Sequence, residues 1–134
     1  PTTVVWAENL SEKSILEGVK SGNVYLKTDA ADDPDISFYA ESGDQQWPMG
    51  STIPIENIAE EPIHFTVSTA SLKKLTAEWI LNGEVIDMQD TPQILENGHV
   101  SFTYILNKPV EGWLRLNLRQ NQEITVITNP VYLK

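Results

Sequence analysis

The contrast between the first 28 residues and the rest of the chain constrains the fold most strongly. Residues 4–28 have the pattern of a strand, a helix and a strand. After them come short segments of alternating apolar and polar residues, separated by turn residues, and this spacing is typical of an antiparallel β-sandwich. We therefore predict a mostly β chain, in which an immunoglobulin-like antiparallel β-sandwich at residues 29–134 follows a strand–helix–strand segment at residues 1–28. That first segment resembles the last piece of a larger α/β domain, so we expect such a domain to precede it.

The predicted helix has recognisable signals at both ends. Ser11 is suited to the N-cap because its hydroxyl can accept a hydrogen bond from a free amide of the first turn. Gly22 is suited to the left-handed position that ends a helix. Leu10 and Ile15 have the spacing of a hydrophobic staple across the N-terminus. The apolar side chains form one stripe, which we expect to pack against the sandwich: Leu10, Ile15, Leu16 and Val19.

The rest of the chain is predicted to form strands joined by turns. Asn82-Gly83 lies between two apolar runs and is a strong signal for a hairpin, because both residues tolerate a positive φ. Trp79 falls where the third strand of an immunoglobulin-type sandwich has its core tryptophan. Residues 41–53, rich in glycine and proline, are predicted to be a long loop. The predicted strands are residues 36–40, 63–68, 75–81, 84–86, 100–106, 114–118 and 124–127.

Composition excludes several classes of partner and site. The 134 residues include 40% hydrophobic residues, enough for a core of their own. The chain has no cysteine, which excludes disulfides and thiolate metal sites but does not fix the compartment. A net charge of −10 repels a phosphate backbone, so we expect no nucleic-acid partner. No apolar run approaches the roughly 20 residues of a membrane-spanning helix, so we expect no membrane insertion.

No recognisable catalytic or metal-binding motif is present. His64 and His99 are the only histidines, and they are not spaced as paired metal ligands. The acidic loop at residues 29–35 could offer oxygen ligands to calcium, but its spacing differs from that of a calcium-binding loop, and a solvated loop is the favoured interpretation. The acidic residues of that loop are Asp29, Asp32, Asp33 and Asp35. We therefore predict no catalytic residue, no metal ligand and no cofactor in this chain.

Two groups of aromatic and basic residues are candidates for an interdomain or ligand surface. Trp47 lies in the segment rich in glycine and proline, where it could stack on a sugar, anchor an interface or plug one end of the sandwich. Trp113, Arg115 and Arg119 point away from the leucines of the same strand. This row could dock another domain, or its arginines could pair with glutamates within the sheet while Trp113 lies across a neighbour.

Five short stretches at the two ends of the chain form a recognisable set: Pro1–Ala7 (PTTVVWA), Leu10-Ser11 with Ile15–Val19 (ILEGV), Lys20–Leu26 (KSGNVYL), Trp113–Leu116 (WLRL) and Ile127–Tyr132 (ITNPVY). Together they resemble the C-terminal portion of PHP-domain metal-dependent phosphoesterases, the family named for polymerase and histidinol phosphatase. The hairpin Asn82-Gly83 also fits long members of this family that carry a β-sandwich after the barrel.

The resemblance implies a role for the whole chain. Residues 1–28 would be a C-terminal remnant of the catalytic α/β barrel, and residues 29–134 a non-catalytic accessory domain that stabilises or orients it. The divalent metal ions that activate water for attack on a phosphate ester would be bound by the missing catalytic domain, upstream of Pro1. The expected partner is that N-terminal catalytic domain. The alternative is an immunoglobulin-like module that binds a glycan or a protein.

Overall fold

The computed structural model describes residues 1–28, 34–58, 61–70 and 73–134. These residues form two facing sheets and one α-helix, α1 (Glu12–Ser21), with a short 3-10 turn at Ile55–Asn57. The prediction of a mostly β, antiparallel sandwich is confirmed. The strands are β1 Thr2–Val5, β2 Val24–Lys27, β3 Ile36–Ser42, β4 Gln45–Pro48, β5 Thr52–Ile53, β6 Ile63–Thr69, β7 Thr76–Leu81, β8 Glu84–Gln89, β9 Gln93–Ile94, β10 Val100–Leu106, β11 Gly112–Gln120, β12 Glu123–Thr128 and β13 Val131–Leu133.

The smaller sheet has the order β4-β3-β6-β10-β9 and is antiparallel throughout. Its strands β3 and β6 alternate between buried and more exposed side chains, as a half-buried strand requires. Phe38, Phe65 and Phe102 point inward from β3, β6 and β10 and are almost fully buried. The outer face of this sheet is polar, and two hydroxyl pairs cross it, one of them between Ser37 and Ser68.

The larger sheet is organised around β11 and forks on one side of it. On its other side β11 pairs with β7, and β7 pairs with β8. On the forked side, the C-terminal half of β11 pairs with β12 and the N-terminal half with β13. One branch continues from β12 to β2 and β1, and the other from β13 to β5, which is a parallel pair. Asn129 and Pro130 separate β12 from β13, and proline has no N–H to continue a ladder.

Trp79 is a core residue, as its position in the sequence predicted. It is fully buried on β7, and its ring centroid lies 6.1 Å from that of Phe38 and 6.0 Å from that of Tyr104, so it joins the two sheets. Its indole nitrogen donates a hydrogen bond to Gln89 Oε1 at 2.9 Å. This bond satisfies a polar group that would otherwise be costly to bury. The alternating leucines of β11 complete this layer and are fully buried: Leu114, Leu116 and Leu118.

The turns are partly as predicted. Asn82 and Gly83 have φ values of 51° and 88° and join β7 to β8, which confirms the predicted hairpin. The prediction of one long loop at residues 41–53 is wrong, because this segment contains the end of β3, all of β4 and β5. Gly43 has a left-handed φ of 58°, and β4 folds back onto β3 immediately after it.

Residues 1–28 extend the larger sheet of the sandwich. β1 and β2 are antiparallel neighbours, whereas strands that flank a helix in an α/β barrel are parallel. β2 also pairs with β12, in the register Val126–Lys27 to Thr128–Tyr25. The origin of this segment in a barrel stays a prediction, as does the boundary at residues 28/29.

Candidate functional site

The helix α1 rests on the sheet through its smallest residues. Ser11 caps it as predicted, since its Oγ accepts from Ser14 N at 3.1 Å, and Gly22 ends it with a φ of 76°. Ser14 and Gly18 are the buried helix residues. A Cβ at Gly18 would lie 2.4 Å from the main-chain oxygen of Trp6, so only glycine allows this approach. The glycine therefore sets both the distance and the orientation of the helix.

The apolar side of α1 faces away from the sandwich, so the prediction that it packs inward is wrong. The predicted staple is also wrong, because Leu10 is 98% exposed. The orientation follows from the contact through Gly18, which turns the larger side chains outward. We call these side chains the apolar stripe: Leu10, Ile15 (38% exposed), Leu16 (49%) and Val19 (51%).

The rim of the apolar stripe is electrically balanced. A shallow depression beside Leu16 is lined by two acidic and two basic side chains: Glu12, Lys13, Glu17 and Lys20. An apolar centre with a mixed polar rim is the usual composition of a protein–protein interface. On a chain with a net charge of −10, this is a patch that a partner of either sign can approach.

The predicted row of Trp113, Arg115 and Arg119 lies on the outer face of β11, where it is half-buried. Arg119 Nε forms a salt bridge with Glu78 Oε2 at 3.1 Å. Arg115 donates to Asn117 Oδ1 at 2.8 Å, so the arginines are held within the sheet. This geometry favours intrasheet pairing over a free docking face for Arg119. The use of this row as an interdomain or ligand surface stays a prediction.

Glu78 is the centre of this polar network. It is 9% exposed and accepts hydrogen bonds from Asn117 Nδ2 at 2.8 Å and from both Nε and Nη2 of Arg119. Burial tends to raise the pKa of Glu78, but the hydrogen bonds from Asn117 and Arg119, together with the charges of Arg119 and Arg115, outweigh it and lower that pKa. The carboxylate is therefore ionised in the folded protein at neutral pH.

Trp47 lies on β4 opposite Ala40, half-buried and packed against the hydrophobic core. β4 is an edge strand of the smaller sheet, and the role of Trp47 as a plug at one end of the sandwich stays a prediction. Its neighbours Gln46 and Pro48 point to the other face of the strand because side chains alternate along it. Contact of Trp47 with a ligand or another domain stays a prediction.

Residues 20–26 and residues 127–132 are in contact where β12 and β13 separate in the larger sheet. Asn129 Nδ2 donates to the main-chain oxygen of Gly22 at 3.0 Å, and the two residues are 107 positions apart. Gly50 N donates to Pro130 O at 2.9 Å. A Cβ at Gly50 would lie 2.3 Å from Ser21 O, so glycine is required where the segments cross. The stretches 20–26 and 127–132 thus form one structural joint.

A second contact between separate segments involves Asp35, the only one of the four loop aspartates that lies among the described residues. Asp35 Oδ1 lies 2.7 Å from Lys27 Nζ and accepts a hydrogen bond from the Tyr25 hydroxyl at 3.1 Å. The hydrogen bond from Lys27 is the main reason that the pKa of Asp35 is lowered, and burial raises the pKa of Tyr25 to about 12. Asp29, Asp32 and Asp33 lie outside the described residues. In the part of the chain that is described, no group of three His, Asp or Glu side chains is arranged to hold a metal ion.

The histidines occupy ordinary positions. His64 is exposed on the polar face of β6, as predicted, and His99 is half-buried beside a turn.

Within residues 1–28, 34–58, 61–70 and 73–134, no helix combines the length and the apolar character needed to cross a bilayer.

One pocket was indicated by no sequence motif. It has a volume of about 300 Å³ and lies beside Trp6, at the end of β1. β1 ends at Val5, so Trp6 lies just beyond the strand, and it is 46% exposed. Its indole nitrogen donates to Ile36 O at 3.0 Å, which links the segment 1–28 to the smaller sheet.

Comparison of the chain with protein-family models, curated proteins and solved structures found no match.

Proposed function

We propose that this chain is a non-catalytic accessory domain of a PHP-type metal-dependent phosphoesterase, and that the apolar stripe of α1 packs against the catalytic domain. The observation that carries the proposal is the direction of the stripe. Ile15, Leu16 and Val19 are 38–51% exposed on a helix whose other side is already seated on β1, and Leu10 is exposed just before the helix begins. Single exposed apolar residues are common, but a contiguous patch with a polar rim marks an interaction surface.

The rigidity of the helix supports this role. Its N-cap, its left-handed end and the contact of Gly18 with Trp6 fix its position before any partner binds. A preorganised surface loses little conformational entropy on association. Burial of the exposed part of Leu16 would contribute about 1 kcal/mol, since a fully buried leucine contributes about 1.5–3 kcal/mol.

The joint at Gly22 and Asn129 supports the resemblance on which the parent's identity depends. The two stretches that resemble the family are distant in sequence, yet they are hydrogen-bonded in the structure. Residues that act together in one joint form a more specific signal than two unrelated short motifs. In this proposal the divalent metal ions are bound by the catalytic domain, and this chain contributes position and stability.

The test is to express this chain and the polypeptide encoded upstream of Pro1 separately, and to measure their association by calorimetry. We expect a complex that Leu16→Lys weakens at least about tenfold, equivalent to about 1.4 kcal/mol. Ile94→Lys is the matched control, because Ile94 is 76% exposed on β9 in the other sheet and should leave association unchanged.

Two further measurements decide the parent's class. The upstream polypeptide should contain clustered His and Asp residues and hydrolyse phosphate esters with manganese or zinc, while this chain alone should not. No association, or equal effects of Leu16→Lys and Ile94→Lys, would reject the docking surface. Turnover at an enzyme-like rate by this chain alone would reject the non-catalytic role.

A further inference from the structure

A pocket lies on the outer face of the smaller sheet, where the segment 1–28 reaches β3 and β4. Its volume is about 300 Å³. Tyr39 and Pro48 are opposite each other on the two strands, and both line it. The lining comes from three segments of the chain: Trp6 with Asn23, Ser37–Tyr39, and Gln46 with Pro48.

We propose that this pocket binds a neutral sugar, with the sugar ring stacked on the indole of Trp6 and its hydroxyls bonded to the amides of Asn23 and Gln46. The proposal does not depend on the accessory role, because the pocket uses none of the residues of the apolar stripe.

Trp6 is prepared for stacking before a ligand arrives. Its indole nitrogen donates to Ile36 O at 3.0 Å, and its main-chain nitrogen donates to Asn23 O at 2.9 Å. Both the ring and the backbone are therefore held, while 46% of the residue stays exposed. An aromatic ring that is fixed and open to solvent offers apolar contact at a low cost in entropy.

The side-chain amides of Asn23 and Gln46 retain hydrogen-bond donors and acceptors that a ligand could use. The Asn23 side chain forms no hydrogen bond with any of the described residues, and it lies half-buried beside Trp6. Gln46 Nε2 makes one long bond of 3.3 Å to Glu41, which leaves a second N–H and its carbonyl oxygen. Each amide can both donate and accept, which matches the hydroxyls of a sugar.

The charge of the pocket favours a neutral ligand. The Tyr39 phenol is the only ionisable group in its lining, and burial raises the pKa of Tyr39, so the phenol is neutral at physiological pH. With no cation in the lining and a chain charge of −10, an anionic ligand would be repelled. A ligand with an apolar ring face and uncharged hydroxyls fits this lining better than a phosphate or an acidic sugar.

The experiment is a glycan array of neutral and acidic oligosaccharides, followed by titration of each hit against tryptophan fluorescence. We expect neutral sugars to bind, and Trp6→Ala and Asn23→Ala each to weaken binding at least about tenfold. Val85→Ala is the control, since Val85 is 55% exposed on β8 of the larger sheet, away from the pocket, and should leave the dissociation constant unchanged.

If Trp6→Ala fails to fold, Asn23→Ala still tests the proposal. The hydrogen bonds of Asn23 in the described structure are made by its main chain, so the substitution leaves them in place and the variant should fold. Absence of binding by every neutral sugar would overturn the proposal. So would a hit whose affinity Asn23→Ala leaves intact, or binding of acidic sugars in place of neutral sugars. Leu16→Lys should leave sugar binding unchanged, which separates this result from that of the docking experiment.

Discussion

Replacement of Gly18 by alanine tests the contact that orients α1. The added Cβ would lie 2.4 Å from the main-chain oxygen of Trp6 and 2.7 Å from Val5 Cγ1. At an exposed helical position the same change would stabilise the protein by about 1 kcal/mol. Overpacking costs about 1–3 kcal/mol, and an approach this close to a main-chain atom should cost about 3 kcal/mol. Less the gain of about 1 kcal/mol from helix propensity, the free energy of unfolding should fall by about 2 kcal/mol. For a domain of this size the melting temperature should fall by roughly 6–10 °C.

The assay is urea unfolding followed by tryptophan fluorescence, with thermal unfolding followed by circular dichroism. Glu17→Ala is the control, because Glu17 is exposed on the same helix and the change should alter stability by less than about 0.5 kcal/mol. A Gly18→Ala variant as stable as the wild type, or more stable, would show that the helix is not seated on the Trp6 carbonyl. The outward direction of the apolar stripe would then lose its physical basis.

Two buried polar groups give further predictions. Glu78→Gln should cost about 1–3 kcal/mol at pH 7, because it removes the carboxylate that pairs with Arg119. Folding lowers the pKa of Glu78, so the advantage of the wild type is fully present above the unfolded value of 4.5 and is lost as the pH falls through the folded pKa. Urea titrations at pH 7 and pH 3 should show the difference shrinking, and an equal difference at both would contradict this reasoning. Trp79→Phe should cost about 2 kcal/mol, because it leaves a cavity and removes the bond to Gln89; a loss below about 0.5 kcal/mol in urea unfolding would show that neither matters.

The parts of the fold that depend on local chemistry were predictable. Ser11 and Gly22 mark the helix ends because a cap involves only the neighbouring turn. Asn82-Gly83 marks a hairpin because the required positive φ belongs to those residues themselves. The alternation in β11 predicted that Leu114, Leu116 and Leu118 share the buried face, since a strand has only two faces.

The parts that depend on contacts between distant segments were not predictable. The apolar stripe of α1 suggested an inward face. The close approach of the helix leaves no room for a Cβ at Gly18, and that restriction comes from the carbonyl of Trp6, which lies outside the helix. The short strands β4 and β5 lie among glycines and prolines, whose local preference is for turns, and only pairing with β3 and β13 extends them. The pocket joins Trp6 to Tyr39 and Gln46, and no spacing in the sequence relates these positions.

The fork in the larger sheet has a consequence for how such a domain can change its attachments. Because β12 and β13 occupy separate halves of the same side of β11, the register of one branch does not determine that of the other. Lengthening or exchange of the segment next to β12 therefore preserves the alignment of β13 with β5 only if two contacts between the branches are kept. These are the bond from Asn129 to Gly22 and the close approach of Gly50 to Ser21.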